Sequence, residues 1–161
     1  TGGEPLIHED LSTLMQLIKD RGMKIKLDTN GSYPARLEKA LDKGLVDSVA
    51  MDIKASKDDY SRACGVNINL DDIQRSIDCI AESGLDAMFR MTIVPGIIDE
   101  DSINALCDWL PRKAVFQLQQ FSPENTLNPE FEKIEPYPPS RLRKMAATAE
   151  KFFSEVRVEG I

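Results

Sequence analysis

No run of apolar residues in this sequence is long enough to cross a bilayer as a helix. No basic, apolar signal segment opens the chain, and its first residue is Thr1 rather than methionine, which predicts a trimmed or partial chain. Cysteine is scarce: there are three, Cys64, Cys79 and Cys107. An odd count at wide spacing excludes a secreted disulfide scaffold, and it forms no compact zinc or iron–sulfur knuckle. Cys79 and Cys107 fall in helical patterns and read as packing residues. Cys64, beside Gly65, falls in a loop and is the one to test for reactivity. Together these absences predict a cytoplasmic protein with no membrane partner. Positive charge is also short, with 20 basic residues against 27 acidic and a net charge of -7. That balance opposes attraction to nucleic-acid phosphates. The densest basic group, Arg141, Arg143 and Lys144, reads as a solvated helix face. Internal repeats, low-complexity segments and an evident domain boundary are absent too.

What is present fits one domain: 161 residues, 42% of them apolar. Leu11, Leu14, Met15, Leu17 and Ile18 give a helical stripe, with Asp10 placed to cap it and Gly22 to end it. Short strands alternate with further helices, and the strands are expected near residues 24–29, 48–53, 87–94, 115–120 and 155–159. Pro34 suits the first turn of one helix, Asn69 and Asp99 cap two more, and Pro138 and Pro139 open the last. Residues 55–68 and 122–129 read as loops. Alternating strands and helices are the pattern of a parallel sheet with right-handed crossovers. The chain opens on a helix without the strand a parallel unit expects before it. The fold class is therefore α/β, a partial TIM-type (β/α) barrel of mostly parallel strands lacking its first two.

In such folds the loops at the carboxyl ends of the strands carry the chemistry. Polar residues collect there: Gly2, Gly3 and Glu4; Asp28, Thr29 and Asn30; Asp52 and Lys54; Arg90 and Thr92; Gln117 and Gln119. Arg90 and Thr92 share a sheet face, as do Gln117 and Gln119. Each has a plain structural reading. Gly3 permits a turn, Glu4 accepts from helix amides, Asp28 caps the turn after it, and Asp52, Lys54 and Arg90 form an ion network. A polar ligand in the mouth explains all of them jointly. Glu4 and Asp52 suit the ammonium of an amino acid, Lys54 or Arg90 its carboxylate, and Asn30 and Gln117 a ribose.

The sequence resembles the radical S-adenosylmethionine enzymes. Thr1-Gly2-Gly3-Glu4-Pro5 looks like that family's Gly-Gly-Glu motif. Lys26–Gly31, Met51–Ala55 and Arg90–Gly96 look like its next three strand ends. The nearest group is the activating enzymes of glycyl-radical proteins. Phe116–Phe121 and Pro123–Thr126 look most like activases related to anaerobic ribonucleotide reductase, then pyruvate formate-lyase activase. The resemblance makes residues 1–161 a partial radical S-adenosylmethionine barrel domain. It implies S-adenosylmethionine and a four-iron, four-sulfur (4Fe-4S) cluster as cofactors of the full-length protein, and a reductant such as flavodoxin or ferredoxin. A glycyl-radical enzyme, the anaerobic ribonucleotide reductase or pyruvate formate-lyase, would be the partner. By likeness Gly2, Gly3 and Glu4 contact the methionine amino group, Asp52 and Lys54 hold the methionyl part, and Thr29 and Asn30 form the pocket wall. Arg90 and Gln117 join them as further cofactor contacts. The family's cysteine triplet, spaced three and then two residues apart, does not occur in this sequence, so its cluster ligands are absent from the chain. The resemblance therefore implies that residues 1–161 alone bind S-adenosylmethionine weakly and do not cleave it. Two other functions stay open: a non-catalytic protein-binding fragment of the same fold, and a barrel lyase using Lys54, which would require a desolvated amine.

Overall fold

The computed structural model describes residues 3–124, 126 and 128–161. Five strands, β1 (Lys26–Thr29), β2 (Ser48–Asp52), β3 (Asp86–Ile93), β4 (Val115–Gln120) and β5 (Glu155–Glu159), form one sheet in chain order. β1 runs parallel to β2, with Lys26 opposite Ser48 and Thr29 opposite Met51. β4 runs parallel to β5, with Gln117 opposite Arg157. Among the described residues, α1 (Leu11–Lys19) precedes β1, and α2 (Pro34–Asp42), α3 (Tyr60–Cys64), α4 (Leu70–Glu82), α5 (Glu100–Trp109) and α6 (Pro139–Ala149) lie between the strands. This is the α/β architecture expected from the alternation of strand and helix.

The local chemistry behaves as the residue types dictate. Asn69 caps α4 by accepting from the Asp71 amide. Asp99 and Ser102 form a reciprocal capping box at the start of α5. Pro34 and Pro139 occupy first turns, where a missing N–H costs nothing.

The segment 55–68, read as a loop, holds a helix, and a short helical turn follows the second loop. Within 55–68, α3 forms because Tyr60 is buried and meets Trp109 edge-on, with ring centroids 6.0 Å apart. Gly65 then ends it in the left-handed region. A 3-10 helix, Pro129–Lys133, follows the cap at Asn128, whose side chain accepts from the Glu130 amide. The stripe on α1 departs further from the pattern. Met15 is buried, but Leu14 and Leu17 are 54% and 49% exposed. Asp10 sits at its N-cap without a side-chain bond. Cys107 is buried as expected, whereas Cys79 is only half-buried.

The chain divides into two compact units, Thr1–Ile53 with Asn69–Phe89, and Lys54–Ile68 with Arg90–Ile161. In the first, α2 packs on α4, and Leu27, Leu37, Val49, Met51, Ile73 and Ile77 are buried. In the second, Phe116 stacks on Phe153 at 4.8 Å, and Arg141 of α6 forks onto Glu100 of α5.

Candidate functional site

Glu4 is held at both carboxylate oxygens. Its Oε1 accepts from the Leu6 amide at 3.1 Å and from the Thr29 hydroxyl at 2.8 Å. Its Oε2 accepts from the Asn30 amide at 2.6 Å. The carboxylate therefore ties the segment before α1 to the carboxyl end of β1, where ligands bind in α/β folds. It also caps a short 3-10 helix, Pro5–Ile7. Gly3 is exposed, and nothing stands within 4 Å of where a Cβ would be. Gly2, Thr1 and Asn125 lie outside the described residues.

The structure brings Glu4, Thr29 and Asn30 together. Thr29 is buried, and besides donating to Glu4 its hydroxyl accepts from the Gly31 amide at 3.1 Å. The Asn30 side chain accepts from the Ser32 amide and hydroxyl, so it builds the turn. Asp28 is exposed and pairs with Lys26 at 2.7 Å. Asp52, in the same unit, ends β2 and is half-buried.

The other expected residues belong to the second unit. Arg90 is half-buried in β3, between buried Phe89 and Met91. Lys54 is exposed, which denies it the desolvation a Schiff-base lysine needs. Asp52, Lys54 and Arg90 each have an interaction partner. Gln117 is 5% exposed, and its amide donates to Glu159 Oε2 at 3.1 Å. Glu159 escaped the sequence reading, although Glu155, Arg157 and Glu159 alternate along β5 and so share one sheet face.

A second residue the sequence did not single out is Arg36 of α2. Its Nη1 donates to the carbonyls of Leu6 at 2.8 Å and Ile7 at 2.5 Å. It helps line a cavity of about 300 Å³ with Leu6, His8, Leu11, Met15 and Lys39. A larger cleft of about 730 Å³ lies between α2 and α4 and is rimmed by Glu38, Asp42, Asp71, Asp78 and Glu82. It reaches residues just before β2 and β3, at the amino ends of those strands. Arg75 there pairs with Glu38 and holds its carboxyl below the usual carboxylate range.

Glu4, the last residue of the Gly-Gly-Glu motif, is thus fixed at the carboxyl end of β1. A model described as the radical SAM superfamily matches residues 1–110. The chain belongs to the radical SAM superfamily. A protein of Methanocaldococcus jannaschii provisionally named a glycyl-radical enzyme activating enzyme is 29% identical over this whole chain, which covers 69% of that relative. A second protein from the same organism, with the same provisional description, is 34% identical over 68% of this chain and is covered to 43%. Among solved structures, Streptococcus suis SuiB bound to S-adenosylmethionine matches 99% of this chain with a TM-score of 0.70. At 15% identity, with 36% of that chain covered, the likeness concerns the fold alone.

The described residues fit part of what such a protein holds. Gly3 and the buttressed Glu4 suit a cofactor with a free amino group. A cluster is another matter. Among the described residues no three His, Cys, Asp or Glu side chains gather to hold a metal ion, and the three cysteines sit on three different helices. Burial pushes the thiols of Cys64, Cys79 and Cys107 up from their ordinary values. That opposes the thiolate a metal requires.

Proposed function

We propose that the whole protein is a radical S-adenosylmethionine activase that generates a glycyl radical on a partner enzyme. The observation that carries this reading is the Glu4 carboxylate. It is part of a Gly-Gly-Glu segment and is spent on Thr29, Asn30 and Leu6, so that the segment presents its backbone at the mouth of β1. S-adenosylmethionine, when bound, supplies the radical chemistry; the chain's own task is to hold and orient it. Gly2, Gly3 and Glu4 offer backbone acceptors to the methionyl ammonium. Asp52, Lys54, Arg90 and Gln117 are assigned to the remaining polar groups, with Thr29 and Asn30 as the wall behind Glu4. The cluster's cysteines come from sequence outside these 161 residues. Flavodoxin or ferredoxin suits the reductant's role, and the protein works in the cytoplasm. The two activase-named relatives favour a glycyl-radical enzyme as partner over the superfamily's other substrates.

The test uses the full-length protein, reconstituted with iron and sulfide without oxygen. Calorimetry should detect S-adenosylmethionine binding, and reduction should yield 5'-deoxyadenosine. Glu4→Gln replaces an acceptor oxygen with an amide that faces other donors, and Asp52→Asn removes a charge. Each should weaken binding by about tenfold or more. A reconstituted protein that neither binds nor cleaves the cofactor overturns the activity. Unchanged binding in both variants overturns the site.

A further inference from the structure

We infer that Arg36 is a positioning residue for cofactor capture, acting through the Gly-Gly-Glu loop. This deepens the activase reading and rests on it. The loop from Glu4 to Glu9 is held from two sides by opposite charges. On one side the Glu4 carboxylate accepts from the loop's own Leu6 amide and from the β1 end. On the other, the Arg36 guanidinium donates to the Leu6 and Ile7 carbonyls and reaches Glu9 Oε1 at 3.3 Å. Those carbonyls close the Pro5–Ile7 turn, where a helix end leaves acceptors without partners of its own. The Tyr33 ring lies 5.4 Å from the guanidinium carbon and restrains it further.

This arrangement bears on binding because Gly3 has no side chain and open space around it. Its conformation is set by what fixes the residues after it. The Glu4 carboxylate anchors the loop at the end of β1, and the Leu6 side chain is buried. Arg36 adds a polar anchor on the loop's carbonyls, from a different element. A loop fixed before the ligand arrives does not lose conformational freedom on binding, so Arg36 acts on affinity and leaves the chemical step alone. A lysine keeps the charge and has donors enough for the two carbonyls that one guanidinium nitrogen serves, but it lacks the second nitrogen that reaches Glu9 and the planar group that lies by Tyr33.

The test compares Arg36→Ala, Arg36→Lys and the control Arg75→Ala in the full-length protein. Arg75 also ion-pairs on the helical layer, with Glu38, and does not touch the loop. Without cofactor, amide exchange at Leu6, Ile7 and His8 should quicken in Arg36→Ala by about tenfold, with Arg36→Lys between it and wild type. S-adenosylmethionine affinity by anaerobic calorimetry should fall about tenfold in Arg36→Ala and be unchanged in Arg75→Ala. KM for the cofactor should rise to match, while kcat at saturation stays within about twofold. Wild-type binding together with an Arg36→Ala variant of equal affinity removes the inference and leaves the activase reading standing. So does a loss shared equally by Arg75→Ala, which marks general destabilisation. A wild-type protein that does not bind the cofactor removes both.

Discussion

Gly31 sits at φ +77°, a left-handed conformation that side chains resist, immediately after the Thr29–Asn30 pair that holds Glu4. A Cβ there would lie 2.1 Å from Met51 Cε and 3.1 Å from its sulfur. Met51 is fully buried, so its tip has to repack within the core to make room. The Gly31 carbonyl also accepts from the buried Ser76 hydroxyl at 2.7 Å, which pins the turn against α4. Gly31→Ala should therefore cost about 2–4 kcal/mol, from backbone strain and overpacking together. Urea denaturation would measure it, and a loss under 1 kcal/mol would show that Met51 can move. The turn itself was legible, because Asn30-Gly31 after a strand is turn chemistry. The clash was not, since Met51 and Ser76 are distant in sequence. Arg36 and Glu159 were hidden for the same reason. Nothing beside Arg36 in the chain announces that it will meet the carbonyls of Leu6 and Ile7. Glu4 shows the converse: its plain structural reading, as an acceptor for helix amides, was legible, and its carboxylate accepts from the Leu6 amide.

Elements are joined here by charged groups at their ends. Asp47 precedes β2 and accepts from Lys19 of α1 at 2.8 Å and from the Ile25 amide, just before β1, at 2.7 Å. The lysine hydrogen bond first, and the amide second, hold its carboxyl below the ordinary aspartate value. A depressed carboxylate stabilises the fold above its unfolded pKa of about 3.9, and that contribution is lost as pH falls through the lower folded value. Wild type should thus exceed Asp47→Asn in urea midpoint above about pH 4, and the gap should close in more acid solution. A gap constant with pH would mean that geometry alone, without the charge, ties these elements. Strand positions were the most legible part of the fold: the expected 115–120 and 155–159 are β4 and β5 as observed, and only β1 starts later, at Lys26. β2 shows itself by its apolar run Val49-Ala50-Met51, and β5 by Val156 and Val158 alternating with charged residues. α3 was illegible because five residues are too few to show a period, and its anchor, Trp109, lies far along the chain.

At the scale of the whole chain, the distribution of exposed apolar side chains is uneven. Ile7, Leu14, Leu17 and Met23 are each about half exposed, and all four fall within one segment, residues 7–23. Two of them project from α1, whose apolar stripe the pattern would have turned inward. β1, the next element, is a terminal strand in the sheet order. Apolar patches and unpaired strand edges both promote association. Residues 1–161 should therefore self-associate as concentration rises, despite a net charge of -7 that opposes it. Leu14→Lys with Leu17→Lys should shift sedimentation toward the monomer. Helix content should hold, because both positions are exposed and lysine is a good helix former. If the double variant associates as strongly as wild type, the α1 face is not the contact, and the edge of β1 becomes the surface to block. If wild type is monomeric at every concentration, charge repulsion outweighs the apolar face and the patch is too small to drive association.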